Sequence, residues 1–99
     1  MQLKKLSREE IKEIKEIKIK IRIMDAMDTM LTHLNRRIVA KANRQIQTSR
    51  TDKSPTLKEK RLARASIWAI ASELIRTERT NVRCQRSTLM NILNKNQKN

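Results

Sequence analysis

Apolar residues recur along the first half of the chain at Ile14, Ile17, Ile21, Met24, Met27, Leu31, Leu34, Ile38, Ala42 and Ile46, with every gap three or four. That spacing keeps them on one face of a helix for many turns. Ser7 followed by Glu10 fits a capping box, and Glu9, Glu10 and Glu13 sit where the helix dipole favours negative charge. The pattern predicts a long amphipathic helix over residues 7–48. Residues 17–23 also alternate Ile with Lys or Arg, which is the period of a strand. No turn signal brackets them and the helical spacing runs through, so helix is the reading, with Ile19 and Ile23 widening the apolar face toward a second partner. A heptad seam through Ile14, Ile17, Ile21, Met24, Asp28, Leu31, Asn35 and Ile38 fits the same stretch, with Asp28 and Asn35 as polar positions that set register.

Residues 47–54 are polar and rich in turn formers, which predicts a loop. Ser54 before Pro55 marks the next helix start, since proline at the first helical position gives up no intrahelical hydrogen bond. A second helix is expected over 55–80. Its centre, residues 65–75, is apolar nearly all round, with small Ala and Ser residues between Ile67, Trp68, Ile70, Leu74 and Ile75. A helix of that kind is expected to be buried on most sides, so this centre, with the Ile14–Ile46 stripe, is the expected core or dimer seam. Residues 87–94 are expected as a short third helix capped by Ser87, and 95–99 as a disordered tail. The fold class is therefore all-α: a long helical hairpin plus a short C-terminal helix in a single domain, assembling as a dimeric helical bundle.

Composition sharpens this picture. The chain of 99 residues contains no Gly, Phe or Tyr, and one Pro, where about seven glycines would be usual. Tight β-turns generally need Gly or Pro, and a phosphate-binding loop or dinucleotide fingerprint cannot be written without Gly. One cysteine, Cys84, cannot close an internal disulfide, which fits a reducing compartment, cytoplasmic or, in a eukaryotic host, nuclear. With a single His and a single Cys, no metal site and no cofactor are expected. His33 reads as a surface residue and Cys84 lacks a base and an oxyanion site, so an enzyme is not expected. No segment approaches a membrane span or a secretory signal.

Charge carries the functional reading. There are 24 Lys and Arg against 10 Asp and Glu, a net charge of +14. A basic excess of this size calls for a polyanion. On a helical wheel at about 100° per residue, Lys15, Lys18, Arg22, His33, Arg36, Arg37 and Arg44 align opposite the apolar stripe. From residue 29 to 51 there is no acid, while Arg36, Arg37, Lys41, Arg44 and Arg50 contribute five cations. Lys and Arg in such a row neutralise phosphates and release counterions, and Asn35, Asn43, Gln45 and Gln47 can add hydrogen bonds to phosphate or sugar. The expected nucleic-acid site is Lys18, Arg22, Arg36, Arg37, Lys41, Arg44 and Arg50. The expected function is binding of RNA in preference to DNA, double-stranded and sequence-independent, by a homodimer such as a small viral or phage accessory protein. The lysines at 15, 18 and 20 also have Glu9, Glu10, Glu13 and Glu16 within pairing distance along the helix. Lys58, Lys60, Arg61 and Arg64, and Arg79, Arg83, Arg86, Lys95 and Lys98, form further basic tracts. Two alternatives remain: a protein-interaction module that engages an acidic partner through the first helix, and a helix-turn-helix over residues 70–93 for DNA.

Overall fold

The computed structural model describes residues 6–97. It contains two helices, α1 (Arg8–Ser49, 42 residues) and α2 (Pro55–Gln97, 43 residues), and no strand among the described residues. The helices pack antiparallel as an all-α hairpin. α1 starts as the capping box predicts, with the Glu10 amide donating to Ser7 Oγ at 3.1 Å. Residues 17–23 are helical.

The connection is shorter than the expected loop, because α1 continues through Ser49. Without glycine, the helix cannot end on a left-handed residue at low cost, and no described residue has positive φ. The chain turns instead on short-range bonds from the amides of Arg50, Thr51 and Asp52 to the carbonyls of Gln47, Thr48 and Ser49, at 3.3, 3.1 and 3.3 Å. Such 3₁₀-type bonds satisfy part of the helix end. Buried Ser49 donates its hydroxyl to the Ile46 carbonyl. Pro55 opens α2, and the Lys58 amide reaches the Ser54 carbonyl at 3.1 Å.

α2 departs from expectation at its far end. It runs unbroken to Gln97, with no stop near residue 80, no separate helix over 87–94, and no disorder through residue 97. The last two positions of the expected tail lie outside the described residues. Nothing between Asn81 and Arg86 is Gly or Pro, and the apolar repeat resumes at Val82 and Leu89. The helix-turn-helix alternative loses its turn for the same reason.

Burial follows a seven-residue repeat on both helices. On α1 the buried or half-buried run is Ile14, Ile17, Ile21, Met24, Asp28, Leu31, Asn35, Ile38, Ala42, Gln45 and Ser49. On α2 it is Arg61, Ala65, Trp68, Ser72, Ile75, Arg79, Val82, Arg86, Leu89 and Leu93. This is the heptad seam rather than the wider stripe. Met27, Leu34 and Ile46, expected inside, are 42%, 46% and 37% exposed, and Asp28, Asn35 and Gln45 take the inward places. An ideal helical face drifts about 20° per heptad away from a strict seven-residue seam, so packing against one partner helix selects the 3.5 period over the 3.6 one.

The described residues form two compact units, each containing part of both helices: residues 6–29 with 80–97, and residues 30–79. In the first, Ile14, Ile21 and Leu93 are buried, with Leu6, Ile17, Leu89 and Met90 packed against them. Ion pairs join Asp28 to Arg83 at 3.4 Å and Asp25 to Arg86 at 2.5 Å. In the second, Ile38, Ala65 and Ser72 are buried, and Ser72 Oγ donates to Asn35 Oδ1 at 2.6 Å. Arg61 Nε lies 2.7 Å from Asp52 Oδ2 beside the turn, an ion pair whose N–H is not aligned for a hydrogen bond. The core is thin. No large described side chain is fully buried, whereas a fully buried Ile or Leu contributes about 1.5–3 kcal/mol.

The expected burial of the 65–75 centre on most sides is not what forms. Trp68, Ala71 and Ile75 are half-buried, while Ile67, Ile70 and Leu74 are 63%, 62% and 66% exposed. A hairpin offers each helix only one neighbour, so the outer half of an all-round apolar helix has nothing among the described residues to cover it.

Candidate nucleic-acid interface

The heptad seam dictates where each basic residue of α1 points. Lys15, Arg22, Arg36 and Arg50 each follow a seam residue directly (Ile14, Ile21, Asn35 and Ser49), and the same column holds polar Thr29 and Asn43. Within each compact unit, a column at seven-residue spacing is a straight row along a helix whose seam keeps that period. Arg37 and Arg44 stand one position further round, on the other flank of the outer face and about as far from the seam. The wheel that groups these residues with Lys18 in one narrow band assumes the 3.6 period. In the observed register Lys18 sits four residues after Ile14 and borders the seam.

Within residues 30–79, Arg36, Arg37, Arg44 and Arg50 are all exposed. None has an ion-pair partner among the described residues. Exposed His33, Asn43 and Gln47 share the outer side of α1 with them, and no acid interrupts it. Successive residues of one column are about 10 Å apart along the axis, so the guanidinium groups are spread out rather than bunched. Long cations on a solvated helix remain hydrated and available, since neighbouring exposed charges contribute only about 0–1 kcal/mol. This unit also holds the larger share of the charge, twelve Lys and Arg against four Asp and Glu.

Lys41 belongs elsewhere. Its Nζ lies 4.9 Å from the centroid of the Trp68 ring, an arrangement in which the ring's quadrupole holds the ammonium. It braces the hairpin beside the seam instead of joining the outer row. Trp68, half-buried, is thereby occupied on one face by a residue of its own chain.

Lys18 and Arg22 lie in the other unit, exposed, beside Lys15 and Ile19. No ion pair from Glu9, Glu10, Glu13 or Glu16 to Lys15, Lys18 or Lys20 forms among the described residues. Pairs of this kind on an open helix contribute about 0.2–0.5 kcal/mol, too little to hold two long side chains in one geometry.

On α2, much of the basic charge is already engaged. Arg83 and Arg86 are tied to Asp28 and Asp25, and Arg76 pairs with Glu73 at 3.3 Å. Within the tract after Glu78, Arg83 and Arg86 are stays across the hairpin, Lys95 is exposed, and Lys98 lies outside the described residues. The signal for the stays was in the sequence: Asp25 and Asp28 mirror Arg83 and Arg86, three residues apart on each helix, as antiparallel packing requires. At the start of α2, Arg61 pairs with Asp52, while Lys58, Lys60 and Arg64 are exposed.

Other chemistry is sparse. Cys84 and His33 are both exposed. Among the described residues no group of three or more His, Cys, Asp or Glu could hold a metal ion, and no helix is long and apolar enough to cross a membrane. Comparison with protein-family models, with characterised proteins and with solved structures finds no match for this chain.

Proposed function

We propose that the protein binds nucleic acid without sequence preference, double-stranded RNA before DNA, as a homodimer, through the outer face of α1. The observation that carries this reading is the two columns of exposed arginines on the outer side of α1, Arg36 with Arg50 and Arg37 with Arg44, which have no ion-pair partner among the described residues and no acid between them. Arginine presents a planar fork that suits phosphate oxygens. A rigid helix holding several of them at fixed spacing reads backbone and shape, not base edges, which is how duplex RNA is mostly recognised. Sequence-specific DNA readout through a helix-turn-helix is disfavoured, because α2 has no turn within residues 70–93.

The same bare arginines suit an acidic protein surface, and the exposed Ile19, Ile23 and Met27 give that second reading an apolar contact. A fluorescence-anisotropy titration separates the two. Duplex RNA, duplex DNA and single-stranded RNA are each titrated at two salt concentrations. The proposal expects the tightest binding to duplex RNA, falling steeply with salt. Negligible binding to all three at low salt overturns it in favour of an acidic protein partner.

A further inference from the structure

α2 carries a second heptad row on the side turned away from α1. Ala63, Ile67, Ile70, Leu74 and Thr77 follow one another at gaps of four, three, four and three, and the three large ones are 62–66% exposed. Arg64 and Glu78 border this row. They stand two heptads apart in one column with small Ala71 midway between them, both exposed, and neither has an ion-pair partner among the described residues.

The row is nearly symmetric about Ile70–Ala71, and its flanking charges have opposite sign at equal distance from Ala71. We infer that this face is where two copies of the chain associate, α2 against α2 in antiparallel order, with the two-fold axis beside Ile70 and Ala71. The inference rests on the homodimer proposed above and assigns its surface. In that arrangement Ile67 of one copy meets Leu74 of the other, and Arg64 meets Glu78 of the second copy, twice per dimer. An isologous contact requires this self-complementarity, and in a parallel arrangement the Arg64–Glu78 columns of the two copies would lie on opposite flanks of the seam and could not pair. The contact also covers the outer half of a helix whose inner half alone makes a thin core, and it leaves the arginine row of α1 open.

Sedimentation equilibrium on the full chain tests this, with helicity followed by circular dichroism. The wild type is expected to be a dimer, and Leu74→Glu a monomer. Since Leu74→Glu could also disturb folding, the charge pair provides an independent reading. Arg64→Glu and Glu78→Arg are each expected to weaken association at least threefold, about what two exposed ion pairs contribute, and the double variant Arg64→Glu/Glu78→Arg to restore it. A wild type that stays monomeric at every concentration overturns the homodimer itself. A dimer indifferent to both Leu74→Glu and the single charge reversals overturns this face while leaving the homodimer standing. Failure of the double reversal to restore association overturns the antiparallel register.

Discussion

Asn35 and Ser72 show how single residues set the register of this hairpin. Each occupies a seam position where an apolar side chain would pack, and each satisfies the other through one 2.6 Å hydrogen bond. A buried polar group left alone costs about 1–3 kcal/mol, whereas removing both partners together can be neutral or stabilising. Asn35→Ala should therefore destabilise the protein by roughly 1–2 kcal/mol in urea unfolding, and the double variant Asn35→Leu/Ser72→Ala should recover that loss. Stability in the double variant at or below that of Asn35→Ala would mean the bond is incidental to the fold. Lys41 makes a contrasting case. Its contact with Trp68 is of a kind worth about 0.5–1 kcal/mol at an exposed site. Lys41→Gln should lower stability by that order and shift Trp68 emission, while changing RNA affinity less than Arg37→Gln does. An equal loss of affinity in the two variants would return Lys41 to the binding surface.

At the scale of the elements, the sequence announced the helix starts clearly and the helix ends poorly. Ser7 with Glu10, and Ser54 with Pro55, are local signals whose physics is complete within four residues, and both helices begin there. The interior faces were harder. Met27 and Leu34 look more like core than Asp28 and Asn35 do, and only packing against a single antiparallel neighbour shows that the seven-residue repeat prevails. No Gly or Pro stands at the break expected near residue 80, and a polar stretch ends a helix only when Gly, Pro or a cap accompanies it. Asn81 is exposed inside continuous α2. Asn81→Pro should then cost about 3 kcal/mol or more and reduce helical ellipticity, whereas a loop at this point would tolerate it. Of the candidate site, Arg22, Arg36, Arg37, Arg44 and Arg50 could be read as exposed from composition and spacing alone. The engagement of Arg83 and Arg86 leaves a trace in the sequence, the matching three-residue spacing of Asp25 and Asp28, but that trace points to pairing only when α2 continues past residue 80 and packs antiparallel to α1.

For the whole molecule, a net charge of +14 over 99 residues opposes compaction unless it is screened or neutralised. Thermal stability should rise as salt increases from about 0.01 M to about 0.15 M, where the Debye length falls from about 30 Å to about 8 Å. A short RNA duplex should raise Tm further at low salt by binding the folded form. A Tm independent of salt would argue that the charges are too dispersed to act together.

The most direct test of the central claim is the salt dependence of duplex-RNA affinity, measured for the wild type and for Arg36→Ala/Arg37→Ala/Arg44→Ala on two duplexes of unrelated sequence. Each phosphate contact contributes roughly one unit to the slope of log K against log salt. The account predicts a wild-type slope that is the same for both duplexes, and a variant slope lower by about two to three with helicity intact. A variant that keeps the wild-type affinity and slope, or a wild type that strongly prefers one duplex, would contradict it.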